Sequence, residues 1–183
     1  MTHNILTRIY NHEALLISWY QNCIPYKYIY PIIKLSKLLT KRYTYYLYFI
    51  IIAINNWYLV VFSYIIFLLI RYFNTVVKHC VCQQRPYNSY PKLIRFYRRQ
   101  KYSYSFPSQS TQSITYIYHI MYDLYPTIYT TIYFMVIILL LLLTRTYRGL
   151  HYPHDIIISY LFTISICNLI DVYFNKSTIV KIF

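Results

Sequence analysis

Acidic residues are almost missing from this chain of 183 residues: four Asp and Glu stand against 18 Lys and Arg, giving a formal net charge of +14. Charged residues make up only 12% of the sequence, whereas soluble domains carry about 25%. This shortage excludes an ordinary soluble domain, and the 58% share of apolar residues excludes a disordered basic tail. A lipid bilayer is the solvent that suits both properties. We therefore predict an all-α, polytopic membrane protein.

Glycine and paired cysteines are also scarce. Gly149 is the single glycine of the chain. Among the four cysteines, Cys23 and Cys167 lie in or beside apolar runs, while Cys80 and Cys82 form one C-x-C pair without a second pair. This spacing argues against a zinc site. Tyrosine is abundant, with 27 copies, but its number fits the codon bias of an AT-rich genome and is not interpreted as a functional signal.

Long apolar runs organise the rest of the chain. Residues 43–70 carry no charge, residues 102–144 contain no Lys or Arg, and residues 156–174 contain Asp171 as their one charged group. Each run is long enough to cross a membrane. A weaker run at residues 14–33 is interrupted by prolines and a lysine, so an N-terminal span is less well defined.

Two of these runs are long enough to cross the membrane twice. We expect residues 43–73 to form a helical hairpin that turns at Asn55 and Asn56, and residues 110–143 to form a second hairpin that turns at Pro126. An N-terminal span and a last helix bring the expected total to about six transmembrane helices.

The expected domain organisation is simple. We assign residues 14–174 to a single membrane domain, with tails at residues 1–13 and 175–183. Glu13 and the lack of a small-residue cleavage site favour an N-terminal region that is retained rather than cleaved as a signal peptide.

A basic segment lies between two of the apolar runs. Residues 71–101 contain eight basic residues and no acidic one. We interpret the segment as a solvent-exposed loop at one membrane face, where anionic headgroups attract each Lys or Arg by about 1 kcal/mol. Basic residues among tyrosines can also bind nucleic acid, but membrane embedding argues against that partner. The basic residues are Arg71, Lys78, Arg85, Lys92, Arg95, Arg98, Arg99 and Lys101.

Two short motifs have residue types that bind phosphate. Lys78 and Arg85 would lie on one face of a continuing helix, two turns apart, with Pro86 ending that helix. Further along, Ser108 follows Pro107 at the start of an apolar run, where it is placed as a helix N-cap. The N–H groups and the dipole of such a helix N-terminus favour phosphate. Taken alone, each motif is a weak signal, because such a pattern more often has a purely structural role.

The third motif surrounds the single glycine. Directly before the last apolar run, the chain carries in order Arg145, Gly149, His151 and Asp155. Pro153 is well placed as the first helical residue of that run, which puts Asp155 in the first turn. Taken alone, His151 and Asp155 could simply be an interfacial hydrogen-bonded pair that caps this helix.

In this order, the three motifs resemble the signature of the type-2 phosphatidic acid phosphatase superfamily, which reads K-x6-R-P, P-S-G-H and S-R-x5-H-x3-D. The chain has Thr144 where the third motif usually has Ser. The resemblance covers residues 43–174, most of the chain. The residues at matching positions are Lys78, Arg85, Pro86, Pro107, Ser108, Arg145, His151 and Asp155.

The resemblance implies a lipid phosphate phosphatase of the endoplasmic reticulum or another internal membrane, with its active site at one membrane face. It implies that His151 attacks phosphorus and forms a phosphohistidine, and that Asp155 orients the imidazole ring. It implies neither a cofactor nor a metal. The expected partners are a lipid phosphate or diphosphate and membrane lipids, with no nucleic acid. The phosphate-binding residues that it implies are Lys78, Arg85, Ser108 and Arg145.

The second motif departs from the family pattern. Gln109 and Ser110 replace the usual Gly-His, and that His is the general acid of the family. Losing a general acid typically costs about 10²–10⁴ in rate, although His79 or His154 could replace it. Two interpretations remain open: a working phosphatase that favours lipid diphosphates, and a pseudophosphatase that binds lipid phosphate without turnover. A channel or transporter would need more polar groups along the spans.

Overall fold

The computed structural model describes residues 2–55, 57–95, 97 and 104–173, and within these ranges the chain forms helices and no strand. The predicted all-α bundle is thus confirmed. The helices are α1 (Thr2–Cys23), α2 (Tyr26–Leu39), α3 (Arg42–Asn55), α4 (Trp57–Val81), α5 (Pro86–Ser89), α6 (Gln109–Leu124), α7 (Ile128–Tyr147) and α8 (Pro153–Tyr173).

Both predicted hairpins are present. Helix α3 ends at Asn55 and α4 begins at Trp57, while Asn56 lies outside the described residues. The break between α6 and α7 contains Pro126, as expected from a residue that cannot continue a helix. Thr127 then caps α7, because its hydroxyl oxygen accepts the backbone N–H of Thr130 at 3.2 Å.

Helix α6 lies at the centre of the bundle and packs against α3, α4, α7 and α8. The main core combines aromatic and aliphatic side chains, such as Phe49 and Phe67, whose ring centroids are 5.3 Å apart. Polar groups also join the helices: the Asn74 side-chain amide donates to the Gln112 carbonyl oxygen at 2.5 Å. Since lipid does not drive apolar helices together, close packing and interhelical hydrogen bonds stabilise the bundle.

Three of the described helices are long and apolar enough to cross a membrane: they lie in the segments Trp57–Ser89, Ile128–Tyr147 and Pro153–Val172. The apolar helix at Tyr43–Ile54 is shorter. Many large apolar side chains of these helices are exposed, as expected of surfaces that face lipid. The total of about six spans stays a prediction.

The first motif does not lie on one helix, so that expectation was wrong. Helix α4 ends at Val81, and Cys82 takes a left-handed φ of 51°. Arg85 therefore lies beyond the helix in an extended conformation. Pro86 begins α5 instead of ending α4, because its missing N–H and fixed φ suit the first position of a helix. The basic segment that we expected to be a loop is thus helical up to Val81.

The N-terminal region consists of α1 and α2, separated near Pro25. Helix α1 continues through residue 13, where we expected the tail to end. The weak run at residues 14–33 is thus divided between two helices, and Pro31 lies inside the second of them. The assignment of residues 14–174 to one domain stays a prediction, and the tail at 175–183 lies outside the described residues.

Candidate active site

A cavity of about 470 Å³ lies at one end of the bundle. Helices α4 and α7 reach this end with their C-termini, and α6 and α8 with their N-termini, because the α6–α7 hairpin returns the chain to the same side. Among the described residues that line the cavity there is no carboxylate. The cavity is therefore suited to an anion. Its cations and histidines are Arg71, Lys78, Arg85, Arg145, His79 and His151.

The two cations of the first motif are held by backbone carbonyls of other segments. The Lys78 ammonium donates to the carbonyl of Tyr104 at 3.0 Å, which ties the end of α4 to the segment that leads into α6. The Arg85 guanidinium, 3% exposed, donates to the carbonyl of Leu150 at 2.7 Å, next to His151. These bonds join the three motifs and fix positive charge at the cavity wall.

Gly149 explains how the chain turns from α7 toward His151. Its φ is +64°, a left-handed value that glycine adopts without strain. A Cβ at this position would lie 2.7 Å from Cγ2 of Ile94. Its carbonyl also accepts the backbone N–H of Tyr87 at 3.2 Å. The single glycine of the chain thus lets the loop that carries His151 pack against the segment that carries Arg85.

His151 and Asp155 are brought together, as expected, and both are buried. His151 Nδ1 lies 3.7 Å from Asp155 Oδ2, slightly beyond hydrogen-bonding distance, and makes no hydrogen bond among the described residues. The Asp155 carboxylate instead accepts the backbone N–H of Tyr152 at 2.9 Å and the side-chain amide of Gln83 at 3.0 Å. Asp155 thus fixes the start of α8 while it faces the histidine.

The electrostatic surroundings of His151 keep its ring neutral. Burial lowers its pKa to about 4, and the nearby positive charges of Arg85 and Lys78 contribute in the same direction. The carboxylate of Asp155 opposes this effect without overcoming it. At neutral pH one ring nitrogen of His151 therefore carries a free electron pair, as a nucleophile requires.

His154 does not line the cavity and faces α1 instead. Its Nδ1 lies 2.5 Å from Oε2 of Glu13, and its Nε2 lies 3.2 Å from Oδ1 of Asp155. The backbone N–H of His154 also donates to Glu13, at 3.2 Å. No sequence pattern predicts this contact, because Glu13 lies 141 positions earlier in the chain. Through His154, helix α1 is connected to the carboxylate that faces His151.

Ser108 stands at the N-cap of α6, as predicted, but its side chain caps no backbone N–H. The hydroxyl lies 2.9 Å from that of Thr111, and the backbone N–H donates to Ser159 at 2.7 Å. Ser108 is fully buried and does not line the cavity. The next two residues, Gln109 and Ser110, form the cavity wall in its place.

Sequence reasoning missed the contribution of the end of α2 and the start of α3. Thr40, at the C-terminus of α2, and Tyr45, in α3, line the cavity, and the Arg145 guanidinium donates to the Thr40 hydroxyl at 3.4 Å. Arg71 lines it as well, although we had interpreted it as a headgroup contact. No motif marks these residues, since they meet the site through tertiary packing alone.

A cation-rich cavity at the end of a bundle of apolar helices defines a membrane protein with a site for anions. The sequence profile of the PAP2 superfamily matches residues 56–179, and the chain belongs to this superfamily, as its motifs predicted. Membership indicates a phosphatase associated with a membrane. Comparison with curated proteins and with solved structures gave no match.

Proposed function

We propose that the protein is an integral membrane phosphatase that hydrolyses lipid phosphates or diphosphates through a phosphohistidine at His151. The observation that carries the proposal is the convergence of Lys78, Arg85, Arg145 and His151 around one cavity. Three fixed cations would neutralise the charge that spreads over the equatorial oxygens of a transferring phosphoryl group. No carboxylate among the described lining residues would compete with that phosphate.

The chemical step in this proposal uses Nε2 of His151, since Nδ1 faces Asp155. Attack on phosphorus forms an N–P bond and breaks the P–O bond to the leaving group. Water then attacks the phosphohistidine, breaks the N–P bond and releases inorganic phosphate. Asp155 would accept Nδ1–H and stabilise the positive ring, for which the 3.7 Å gap has to shorten when substrate binds.

The N-terminus of α6 completes the proposed phosphate site. Ser108 belongs to this site by its position in the motif. Its contacts with Thr111 and Ser159 support a role in holding the first turn of α6 in place. The side chains of Gln109 and Ser110 then face the phosphate. The helix dipole favours an anion at this end.

A second cavity supports a lipid as the substrate. This groove, of about 280 Å³, lies between α3 and α4 and shares Tyr45 and Arg71 with the phosphate cavity. Its other lining residues are aromatic or aliphatic, among them Phe49 and Leu68. A phosphorylated headgroup in the first cavity could thus extend its apolar chain along the groove.

The missing general acid favours a diphosphate as the substrate. Ser110 stands at the position of the family acid, and His154 is turned toward Glu13. His79 remains as the histidine at the cavity wall that could protonate a leaving group. A leaving phosphate needs less protonation than an alkoxide, so a lipid diphosphate loses least from this departure.

Phosphate release by the purified protein tests the proposal. We expect turnover of polyprenyl diphosphate that persists in excess chelator at a temperature well below unfolding. His151→Ala should abolish it, whereas His12→Ala, at an exposed histidine of α1, should leave it unchanged. Turnover that requires magnesium, or that survives His151→Ala, would contradict the mechanism. Phosphate binding without turnover would instead support the pseudophosphatase, the alternative that the missing acid at position 110 leaves open.

A further inference from the structure

A second cluster of ionisable residues lies at the opposite end of the bundle. His119 and Asp123 are four positions apart on α6, and Asp171 comes from the last turn of α8. Asp155 and Asp171 are separated by sixteen positions, or about 24 Å along α8, so the cluster lies far from the phosphate cavity. Two of the four acidic residues of the chain thus meet at one histidine.

The three side chains present their donor atoms to a common point. Nε2 of His119 lies 3.0 Å from Oδ2 of Asp171 and 3.8 Å from Oδ2 of Asp123. All three donor atoms lie within 4.8 Å of one another. Donors bound to one zinc ion at about 2.0–2.2 Å in tetrahedral geometry stand roughly 3.3–3.6 Å apart, so only small side-chain movements would be needed to enclose an ion.

Two further observations indicate a cation at this point. Nε2 of His119 is inaccessible to solvent and makes no hydrogen bond among the described residues, despite the carboxylate oxygen at 3.0 Å. Its electron pair or proton therefore does not point at Asp171. In addition, both aspartates lie in the last turns of their helices, where the negative end of the helix dipole disfavours a carboxylate and favours a cation.

We propose that His119, Asp123 and Asp171 bind a divalent transition-metal ion, with Zn²⁺ as the test ion, and that this ion links α8 to the α6–α7 hairpin. One imidazole and two carboxylates are a donor set that zinc accepts, whereas magnesium prefers oxygen ligands alone. The site has no part in the hydrolysis proposed above and does not depend on it.

Zinc binding by the full-length protein without a polyhistidine tag tests this site. The parent carries Cys23→Ser, Cys80→Ser and Cys82→Ser, because these exposed thiols would also bind zinc. In equilibrium dialysis, with magnesium present in excess, we expect one Zn²⁺ per chain and a zinc-dependent rise of the unfolding midpoint of about 5 °C. Asp171→Asn and His119→Gln should each weaken binding by roughly 100-fold and remove the rise.

A matched control is His12→Gln, which removes an exposed histidine of α1 and should bind zinc as the parent does. Both Asp171→Asn and His119→Gln are measured, so that if one variant fails to fold, the other still tests the site. Unchanged zinc binding in either folded variant, or no binding by the parent at about 1 mM zinc, would overturn the proposal. Zinc that binds only when magnesium is omitted would overturn the assignment of the site to a transition metal.

Discussion

At the scale of single residues, we predict that the side chain at position 110 limits which leaving group the proposed site can expel. A lipid alkoxide, conjugate to an alcohol with a pKa of roughly 16, needs a proton in the transition state, whereas a phosphate with a second pKa near 6 departs with little help. The Ser110 hydroxyl is too weak an acid to supply that proton. We therefore predict that lipid diphosphates are hydrolysed faster than phosphatidic acid, and that Ser110→His raises kcat/KM for phosphatidic acid by about 10–100-fold.

The same substitution should raise kcat/KM for diphosphates by much less. Ser110→Ala is the matched control, because it removes the hydroxyl without adding an acid and should leave the preference for diphosphates intact. Rates of phosphate release for both substrates in the three proteins measure this. Equal gains on both substrates would contradict the leaving-group argument.

The buried position of His151 also predicts how stability depends on pH. Its pKa in the folded protein is about 4, below its ordinary value of 6.5, so the unfolded chain binds this proton more readily between these values. The contribution of the neutral ring to the free energy of unfolding is therefore fully present above about pH 6.5. It falls by up to about 3 kcal/mol as the pH decreases from 6.5 to 4. His151→Gln cannot take up this proton. We expect the unfolding midpoint of this variant to fall less on acidification than that of the parent, and parallel curves would contradict the assignment of a neutral His151.

At the scale of the helices, sequence reasoning did not predict the contact between α1 and α8. Glu13 was placed at the end of a tail, yet it accepts from both the backbone and the ring of His154. A hydrogen bond to a charged group contributes about 1.5–3 kcal/mol. We predict that Glu13→Gln lowers the free energy of unfolding by about that amount. We also expect a lower kcat, because His154, which contacts Asp155, loses the carboxylate that holds its ring.

The exposed neighbour of Glu13 provides the comparison for that variant. His12 lies on the same helix and is exposed, so His12→Gln should change neither stability nor turnover by more than about 0.5 kcal/mol. Thermal unfolding and phosphate release in both variants measure the effect. A Glu13→Gln protein with the stability and kcat of the parent would show that α1 does not support the site.

Local signals explain which elements could be predicted from the sequence. The two hairpins followed from an Asn pair and Pro126, and the start of α8 followed from Pro153, because such residues act within one turn of the chain. The end of α4 could not be predicted, since Cys82 takes a left-handed φ without being a glycine. The site residue Thr40 was also beyond prediction, because it reaches the cavity through packing between distant helices.

For the molecule as a whole, charge and family resemblance favour opposite orientations in the membrane. The positive-inside rule predicts that the basic segment at residues 71–101 is cytoplasmic, whereas the family usually has its active site outside the cytoplasm. The structure gives several of these cations other roles. Lys78 and Arg85 line the cavity, and Arg95 donates from its backbone and side chain to Gln21 and Asn22 of α1. Since part of the excess is explained in this way, we predict that the cavity faces away from the cytoplasm.

Single cysteines at the two ends of the bundle decide this orientation. Asn88, exposed on α5 beside the cavity, and Thr127, exposed in the turn between α6 and α7, are changed to Cys in the parent without its exposed native thiols. In sealed vesicles with the cytoplasmic face outward, an impermeant maleimide should label Thr127→Cys at once and Asn88→Cys only after permeabilisation. The reverse pattern would place the cavity in the cytoplasm. Immediate labelling of both positions would contradict the assignment of α6 and α7 to a membrane-crossing hairpin, because the two ends of that hairpin have to lie on opposite sides.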